Sequence, residues 1–279
     1  MSIKVYKPTT PARRKTSVVS SLDLTRKKRE KSLTKSLNKK SGRNNSGRIT
    51  VRHRGGGAKK IYRIIDFKRL RFDEQALVEA IEYDPNRNAR IALIKYQDGT
   101  KSYILAAVGM KVGDQIVSSQ NSVEIKNGNR MPLSLIPQGY MVYNVELVPG
   151  RGGVIARSAG TNVILQGVEG KYAKLKMPSG EIRLVSKDCS ATLGQISNPD
   201  IKLMRIGKAG RKRHMGIKPT VRGKAMNPVD HPHGGGEGNQ PIGLKSGPKN
   251  IYGKKALGIK TRSKKWSDKL IIKKRKKKR

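Results

Sequence analysis

The stretch AMNPVDHPHGGGEGN, residues 225–239, contains side chains whose types and spacing could support three kinds of chemistry. Asp230 precedes His231, and a carboxylate that orients an imidazole makes an acid–base pair. His231 and His233 offer two nitrogen ligands to a metal ion. Three successive glycines could present their N–H groups to a phosphate as an anion-binding nest: Gly234, Gly235 and Gly236.

Each kind of chemistry has a simpler alternative. A metal site would need further ligands, such as His214 and Asp230, because the chain has a single cysteine. A catalytic pair lacks a serine or cysteine nucleophile motif, although His231 would not need one if RNA held its substrate. The fourth interpretation is a rigid turn, fixed by Pro228 and Pro232, whose glycines allow close packing. We therefore expect no metal and no cofactor, and Asp230 and His231 are the alternative catalytic candidates.

The positive charge of the chain is concentrated at its two ends. The formal net charge is +43 over 279 residues: residues 1–60 carry +17, residues 61–200 carry +4 and residues 201–279 carry +22. A polycation of this kind needs a polyanionic partner, because each Lys or Arg near a phosphate releases counterions. The ends have too few apolar residues to fold alone, whereas the middle has an ordinary globular composition.

These features favour nucleic acid over a membrane as the partner. The sequence has no run of about 18 apolar residues that would span a bilayer. Its N-terminus has no apolar core of secretion-signal length. The single cysteine, Cys189, excludes an intrachain disulfide and fits a reducing compartment. We interpret Cys189 as a buried side chain without a nucleophilic role.

The middle of the chain predicts mainly β structure, because its short apolar runs are rich in Val, Ile and Tyr. A first small barrel is predicted from strands at 61–67, 76–83, 90–97, 101–107 and 114–119. Within it, Asp98-Gly99 predicts a tight hairpin turn with positive φ angles. A second β unit is predicted from strands at 140–148, 153–158, 162–168, 172–177 and 181–186, with turns at Gly170 and Gly180. Helix is predicted only at 23–33 and 198–209.

Composition and prolines near residues 129–139 divide the chain into four segments. We predict a basic N-terminal extension at 1–60, a first β unit at 61–130, a second at 131–200 and a basic C-terminal extension at 201–279.

Two turns of the β region place arginines where they could reach RNA. YDPNRNAR (83–90) puts Arg87 and Arg90 around a turn, and arginine there can bind phosphate or stack on a base. In VPGRGGVIARS (148–158), glycines strip side chains from the backbone around Arg151, and Arg157 follows. The alternatives, a solvated loop and a glycine-rich β-turn, stay open.

Two stretches, one at either end of the β region, both interleave basic side chains with glycines. They are GRITVRHRGGGAKK (47–60) and GKAGRKRHMGIKPTVRGKAMNP (207–228), and the first lacks the spacing of a P-loop. Because only 4% of the chain is aromatic, recognition of the backbone and shape of a folded nucleic acid is favoured over base stacking. The RNA contacts predicted outside the β region are Arg52, Arg54, Gly55, Gly56, Gly57, Arg211, Arg213, Arg222, His231, His233, Gly234, Gly235 and Gly236.

Five long motifs occur in the order that is found in one family. RHRGGGAKKIYRIIDFKR, EYDPNRNARIALI, ARSAGT, SKDCSATLGQISN and VRGKAMNPVDHPHGGGEG closely resemble the bacterial-type ribosomal large-subunit protein two family. The resemblance covers nearly the whole chain. It implies an OB-fold barrel at 61–130 followed by an SH3-like barrel at 131–200, with basic extensions that enter rRNA.

The resemblance also implies a role and partners. Such a chain is expected to be a primary rRNA-binding protein that supports subunit assembly and association near the peptidyl transferase region. Its implied partners are large-subunit rRNA, neighbouring ribosomal proteins, the small subunit and nearby tRNA. The family's core RNA contacts correspond to Arg87 and Arg157, and its C-terminal histidine corresponds to His231. The expected location is the cytoplasmic ribosome, with an organelle that has bacterial-type ribosomes as the alternative.

Two rival functions stay open beside the role that the resemblance implies. The first is an enzymatic role in peptidyl transfer, with Asp230 beside His231. The second is a general RNA chaperone that uses basic tails without a fixed site. We expect a structural rRNA-binding protein and no enzyme.

Overall fold

The computed structural model describes residues 3–275, so Met1, Ser2 and the last four residues of the predicted basic C-terminal extension lie outside the described residues. The described chain is mainly β and divides into two units. Unit 1 comprises residues 3–38, 59–208 and 267–275, and unit 2 comprises residues 39–58 and 209–266. No helix within residues 3–275 is long and apolar enough to cross a membrane.

All strands within residues 3–275 belong to unit 1. In chain order they are β1 (Ile3–Val5), β2 (Ser17–Val19), β3 (Thr34–Ser36), β4 (Ile61–Arg63), β5 (Ala76–Glu82), β6 (Ile91–Tyr96), β7 (Lys101–Leu105), β8 (Gln115–Ile116), β9 (Arg130–Pro132), β10 (Met141–Tyr143), β11 (Val163–Glu169), β12 (Tyr172–Lys176), β13 (Ile182–Ser186), β14 (Ser190–Leu193) and β15 (Ile271–Lys273). The helical segments are α1 (Ala209–His214) and short 3₁₀ turns at Leu133–Leu135, Pro199–Leu203, Gly223–Ala225 and Trp266–Leu270.

The first large sheet has the antiparallel order β7-β6-β5-β8. Its central strand β6 opens with four consecutive buried residues, because protein covers both of its faces. Val78, Tyr103 and Ile116 contribute to the same core. Leu24 and Leu33 of the N-terminal segment pack against the outside of this core.

The second large sheet has seven strands in the order β15-β13-β12-β11-β10-β14-β9. Alternate residues of β12 and β14 point into a second core, which contains Leu175, Ala191 and Leu193. Cys189 lies fully buried in this core as a free thiol, and burial raises its pKa to about 12. This confirms the predicted burial of Cys189.

Most predicted strands are confirmed to within a few residues, but the strand predicted at 140–148 is present only as β10 (Met141–Tyr143), because Asn144 has a φ of 49° and ends it. Gly99, Gly170 and Gly180 have positive φ angles in the turns that join β6–β7, β11–β12 and β12–β13. At the Asp98-Gly99 turn only the glycine has a positive φ. The predicted 61–67 strand is shorter and pairs with β3, and Ile65 makes a single bridge to Tyr103.

Two predicted elements are wrong. Residues 23–33 form no helix, because the segment lies along the first sheet instead. The Thr25 N–H donates to the Ile81 carbonyl (2.9 Å), and the Glu30 N–H donates to the Tyr103 hydroxyl (3.1 Å). Residues 153–158 form no strand, because Ala156 has a φ of 53° and interrupts the extended chain after a single Val145–Ile155 bridge. The helix predicted at 198–209 is confirmed only as the 3₁₀ turn at Pro199–Leu203.

Unit 2 lies entirely within the described residues, and none of its apolar side chains is buried. Backbone hydrogen bonds and close glycine contacts hold its segments together. The four-segment division of the chain stays a prediction.

Candidate nucleic-acid interface

Arg87 and Arg157, 70 positions apart in the sequence, meet at one aromatic ring in unit 1. The guanidinium carbon of Arg157 lies 4.4 Å from the centre of the Phe67 ring, and that of Arg87 lies 5.8 Å from it. Arg87 is also 6.0 Å from the Tyr62 ring. These distances are typical of cation–π contacts. The structure therefore brings the two arginines together.

A tight turn after β5 positions Arg87. The fully buried Asp84 carboxylate accepts hydrogen bonds from Arg87 Nε at 2.7 Å and from the Asn86 backbone N–H at 2.8 Å. The Asn86 side chain donates to the Ile61 carbonyl at 2.7 Å. Within residues 3–275 the terminal nitrogens of Arg87 have no hydrogen-bond partner, and the side chain is 18% exposed.

Arg157 is held by its backbone and by Phe67 alone. The neighbouring Ala156 adopts a left-handed conformation, and its carbonyl accepts the Asn144 N–H at 3.0 Å. The Arg157 side chain is exposed, and among the described residues no carboxylate or carbonyl engages it. An exposed guanidinium without a carboxylate partner keeps all of its donors for a phosphate or a base.

The glycine-rich loop before Arg157 is fixed from below by a buried ion pair. Glu146 lies 3.0 Å from Arg130 Nη2, and both side chains are 2% exposed. Glu146 also accepts the N–H groups of Gly150 (3.2 Å) and Gly152 (2.9 Å). Burial lowers the pKa of Arg130 to about 10, against the opposing effect of Glu146. Arg151 is thereby presented at the surface of a rigid loop.

The glycines of this loop make room for protein. A side chain at Gly152 would lie 3.2 Å from the Phe67 carbonyl oxygen, and one at Gly153 would overlap the Asn144 carbonyl oxygen at 2.2 Å. Only Gly150 faces open space. Close approach of RNA was the expected reason for these glycines, and close approach of the Phe67 segment is what the structure shows.

Arg90 is placed inside the protein. It is 5% exposed, and its Nε lies 3.2 Å from the Asp23 carboxylate while Nη2 donates to the Ser20 carbonyl at 3.2 Å. These bonds fasten the N-terminal segment to the first barrel. The placement does not favour direct RNA contact by Arg90.

In unit 2, the two stretches that interleave basic side chains with glycines lie side by side. Arg54 and Ile217 form an antiparallel bridge, and the Ala58 N–H donates to the His214 carbonyl at 3.1 Å. A side chain at Gly57 would lie 2.7 Å from backbone atoms of His214 and Gly216, so the two chains touch there. Of the arginines in unit 2 that are predicted to contact RNA, Arg52, Arg54, Arg213 and Arg222 are exposed and Arg211 is partly covered.

The two histidines of the 225–239 stretch accept backbone hydrogen bonds. His231 Nδ1 accepts the His233 N–H at 3.0 Å, and His233 Nε2 accepts the Lys249 N–H at 2.8 Å. The rings lie 4.7 Å apart at 58°. A neutral His231 therefore carries its proton on Nε2, since Nδ1 must keep its lone pair. The ring covers Gly223, where a side chain would lie 2.4 Å from it.

This arrangement does not assemble an acid–base pair, because His231 Nδ1 is bonded to the backbone and Asp230 is exposed without a bond to it. Within residues 3–275 no three His, Cys, Asp or Glu side chains cluster as metal ligands do. The N–H groups of Gly234 and Gly235 donate to the His231 and Met226 carbonyls, so two of the three expected nest donors are occupied.

Phe67 and Asp84 are functional candidates that the sequence reasoning missed. Phe67 is one of two phenylalanines in the chain, and it follows the IYRIID run, where it resembles an ordinary strand residue. Its scarcity was the available signal. Asp84 resembles a turn residue, and nothing in the sequence shows that it is buried beneath Arg87.

Residues 30–118 match the family model described as Ribosomal Proteins L2, RNA binding N-terminal domain. Residues 126–253 match the model described as Ribosomal Proteins L2, C-terminal domain. The chain belongs to the ribosomal protein L2 family. It is therefore a structural, RNA-binding protein of the large ribosomal subunit, with an OB-fold barrel followed by an SH3-like barrel. Within this L2 chain, Arg87 lies in the first matched domain and Arg157 in the second.

Proposed function

We propose that the chain is a primary rRNA-binding protein whose barrels bind large-subunit rRNA through Arg87 and Arg157. The observation that carries this proposal is the meeting of two guanidinium groups, one from each matched domain, on Phe67. Each has terminal donors without a protein partner among the described residues. Forked donors of this kind bind phosphate oxygens in pairs.

The proposal extends to the ribosome around this site. The basic segments enter folded rRNA during assembly, and the chain supports subunit association and tRNA binding near the peptidyl transferase region. Its partners there are neighbouring ribosomal proteins and the small subunit. The proposed location is the cytoplasmic ribosome. Unit 2 supports this role, because its 78 residues carry 20 basic and two acidic side chains.

No observation favours a catalytic role for His231 over an RNA-contact role. The Nε2 donor that faces away from its backbone bond can reach a phosphate or a 2′-hydroxyl. The remaining predicted contacts keep their proposed RNA role through exposure and charge: Arg52, Arg54, Arg151, Arg211, Arg213 and Arg222.

Arg157→Ala in the full chain tests the proposed site. We expect weaker binding to protein-free large-subunit rRNA, and a plot of log affinity against log salt concentration that is shallower by about 0.7–0.9, the value of one lost phosphate contact. Arg71→Ala is the matched control. Arg71 also lies over an aromatic ring, 4.7 Å from Tyr96, but Asp98 (2.7 Å) and Glu74 (3.3 Å) neutralise it.

Equal effects of the two substitutions would refute Arg157 as a specific contact. An unrelated folded RNA of the same length, measured at the same salt, separates this function from that of a general chaperone. A ribosomal protein binds its rRNA far more tightly than the unrelated RNA, whereas a chaperone binds both alike.

A further inference from the structure

We propose that Phe67 and Asp84 are positioning residues, which hold Arg87 and Arg157 ready for adjacent phosphates of an RNA backbone before RNA arrives. This deepens the proposed function and rests on it. Phe67 supplies one aromatic platform for both guanidinium groups, and Asp84 fixes the direction of Arg87 upon it.

The Phe67 platform is itself immobilised. Its ring packs against the first core, and its carbonyl accepts the Gly153 N–H at 2.9 Å. The close approach of Gly152 confines the same backbone. A ring held by the core and by the Arg157-bearing loop sets the spacing between the two arginines.

Asp84 engages one donor of Arg87 and leaves the two terminal nitrogens without a partner among the described residues. Its carboxylate engages Nε and is otherwise satisfied by Asn86, through the backbone N–H at 2.8 Å and Nδ2 at 3.0 Å. The two terminal nitrogens are left for a ligand. The Arg87 side chain is 18% exposed and Asp84 is fully buried, so solvent reaches the cation of the pair and not its carboxylate.

A held arginine loses less side-chain entropy on binding than a free one, so positioning raises affinity without adding contacts. Positioning therefore has a distinct signature. Loss of a positioning residue lowers affinity but leaves the number of phosphate contacts, and hence the salt dependence, unchanged.

Phe67→Leu in the full chain provides the test, because leucine keeps apolar packing and removes the aromatic face. We expect about tenfold weaker binding to protein-free large-subunit rRNA, the size of two exposed cation–π contacts. The salt dependence should match that of the wild type, and Phe67→Tyr should restore the affinity. Asp84→Asn raises the net charge by one, yet we expect it to weaken binding, the reverse of what charge alone would do.

The same Phe67→Leu change in an Arg87→Ala/Arg157→Ala background completes the test. No further loss there shows that Phe67 acts through the arginines. An equal loss in both backgrounds, or no loss in the wild-type background, overturns the proposal, and thermal unfolding identifies any variant that fails to fold. If the double arginine variant binds as the wild type does, the proposed function itself fails.

Discussion

In unit 1 the guanidinium carbon of Arg157 lies 4.4 Å from the centre of the Phe67 ring and that of Arg71 lies 4.7 Å from the centre of the Tyr96 ring, but of this pair only Arg157 is proposed to meet RNA. Arg71 over Tyr96 is bound by Asp98, and with Thr100 it lowers the pKa of that carboxyl to about 2. Arg157 over Phe67 has no such partner among the described residues. The difference between the two is the neighbouring carboxylate, since the stacking geometry is similar.

Among the polar groups that support the glycine-rich loop at Gly150 and Gly152, we expect substitution of Glu146 to destabilise the protein most. Glu146→Gln leaves the Arg130 charge buried without its partner and weakens the bonds to Gly150 and Gly152. We expect a loss of about 3–5 kcal/mol in the free energy of unfolding, measured with urea. Glu169→Gln is the control, because its ion pair with Lys174 is exposed and should contribute less than about 1 kcal/mol. Similar losses for the two variants would contradict this account.

For single residues, the sequence predicts the proposed RNA-binding arginines better than it predicts Phe67 and Asp84, the residues proposed to position them. Arg87 comes two residues after a proline and Arg157 follows a glycine-rich stretch, and such local signals can be read from the sequence. Arg90 has the same local signal but is buried against Asp23, 67 residues away in the sequence. Phe67 and Asp84 matter because of long-range packing, and no local pattern encodes that.

Among the elements, hairpins were predictable and the packed N-terminal segment was not. Asp98-Gly99 determines its turn through the φ that glycine permits. Residues 23–33 contain five basic side chains and read as a polar helix, but contacts with β5 and β7 override that local propensity. Leu24 and Leu33 are partly buried because they pack against the first core.

The paired basic stretches of unit 2 depend on glycine at their point of contact. Gly57→Ala places a methyl group against His214 and Gly216 at a φ of +78°. We expect the segments to separate, so that hydrogen exchange of the Ala58 amide becomes faster. Gly56→Ala is the control, because its φ of +66° carries similar strain but nothing lies within 4 Å of the added methyl group. Equal exchange in the two variants would show that strain, and not contact, decides the effect.

At the scale of the whole molecule, the two units differ in the interactions that stabilise each of them internally. Unit 1 has two apolar cores, whereas unit 2 has no buried apolar side chain. We expect amides of unit 2 to exchange with solvent much faster than those of β6 and β12, and rRNA to slow them more than it slows the barrel amides. Exchange in unit 2 as slow as in the barrels without RNA would contradict this expectation.

The strand β15 lies at the edge of the seven-stranded sheet, paired with β13. The chain leaves unit 1 after residue 208 and returns to it at residue 267, so the intervening basic segment is a loop with both ends tied. A tied loop samples fewer conformations than a free tail of the same length, and it loses less entropy when RNA orders it. A strand of three residues can thus lower the entropic cost of ordering 58 residues.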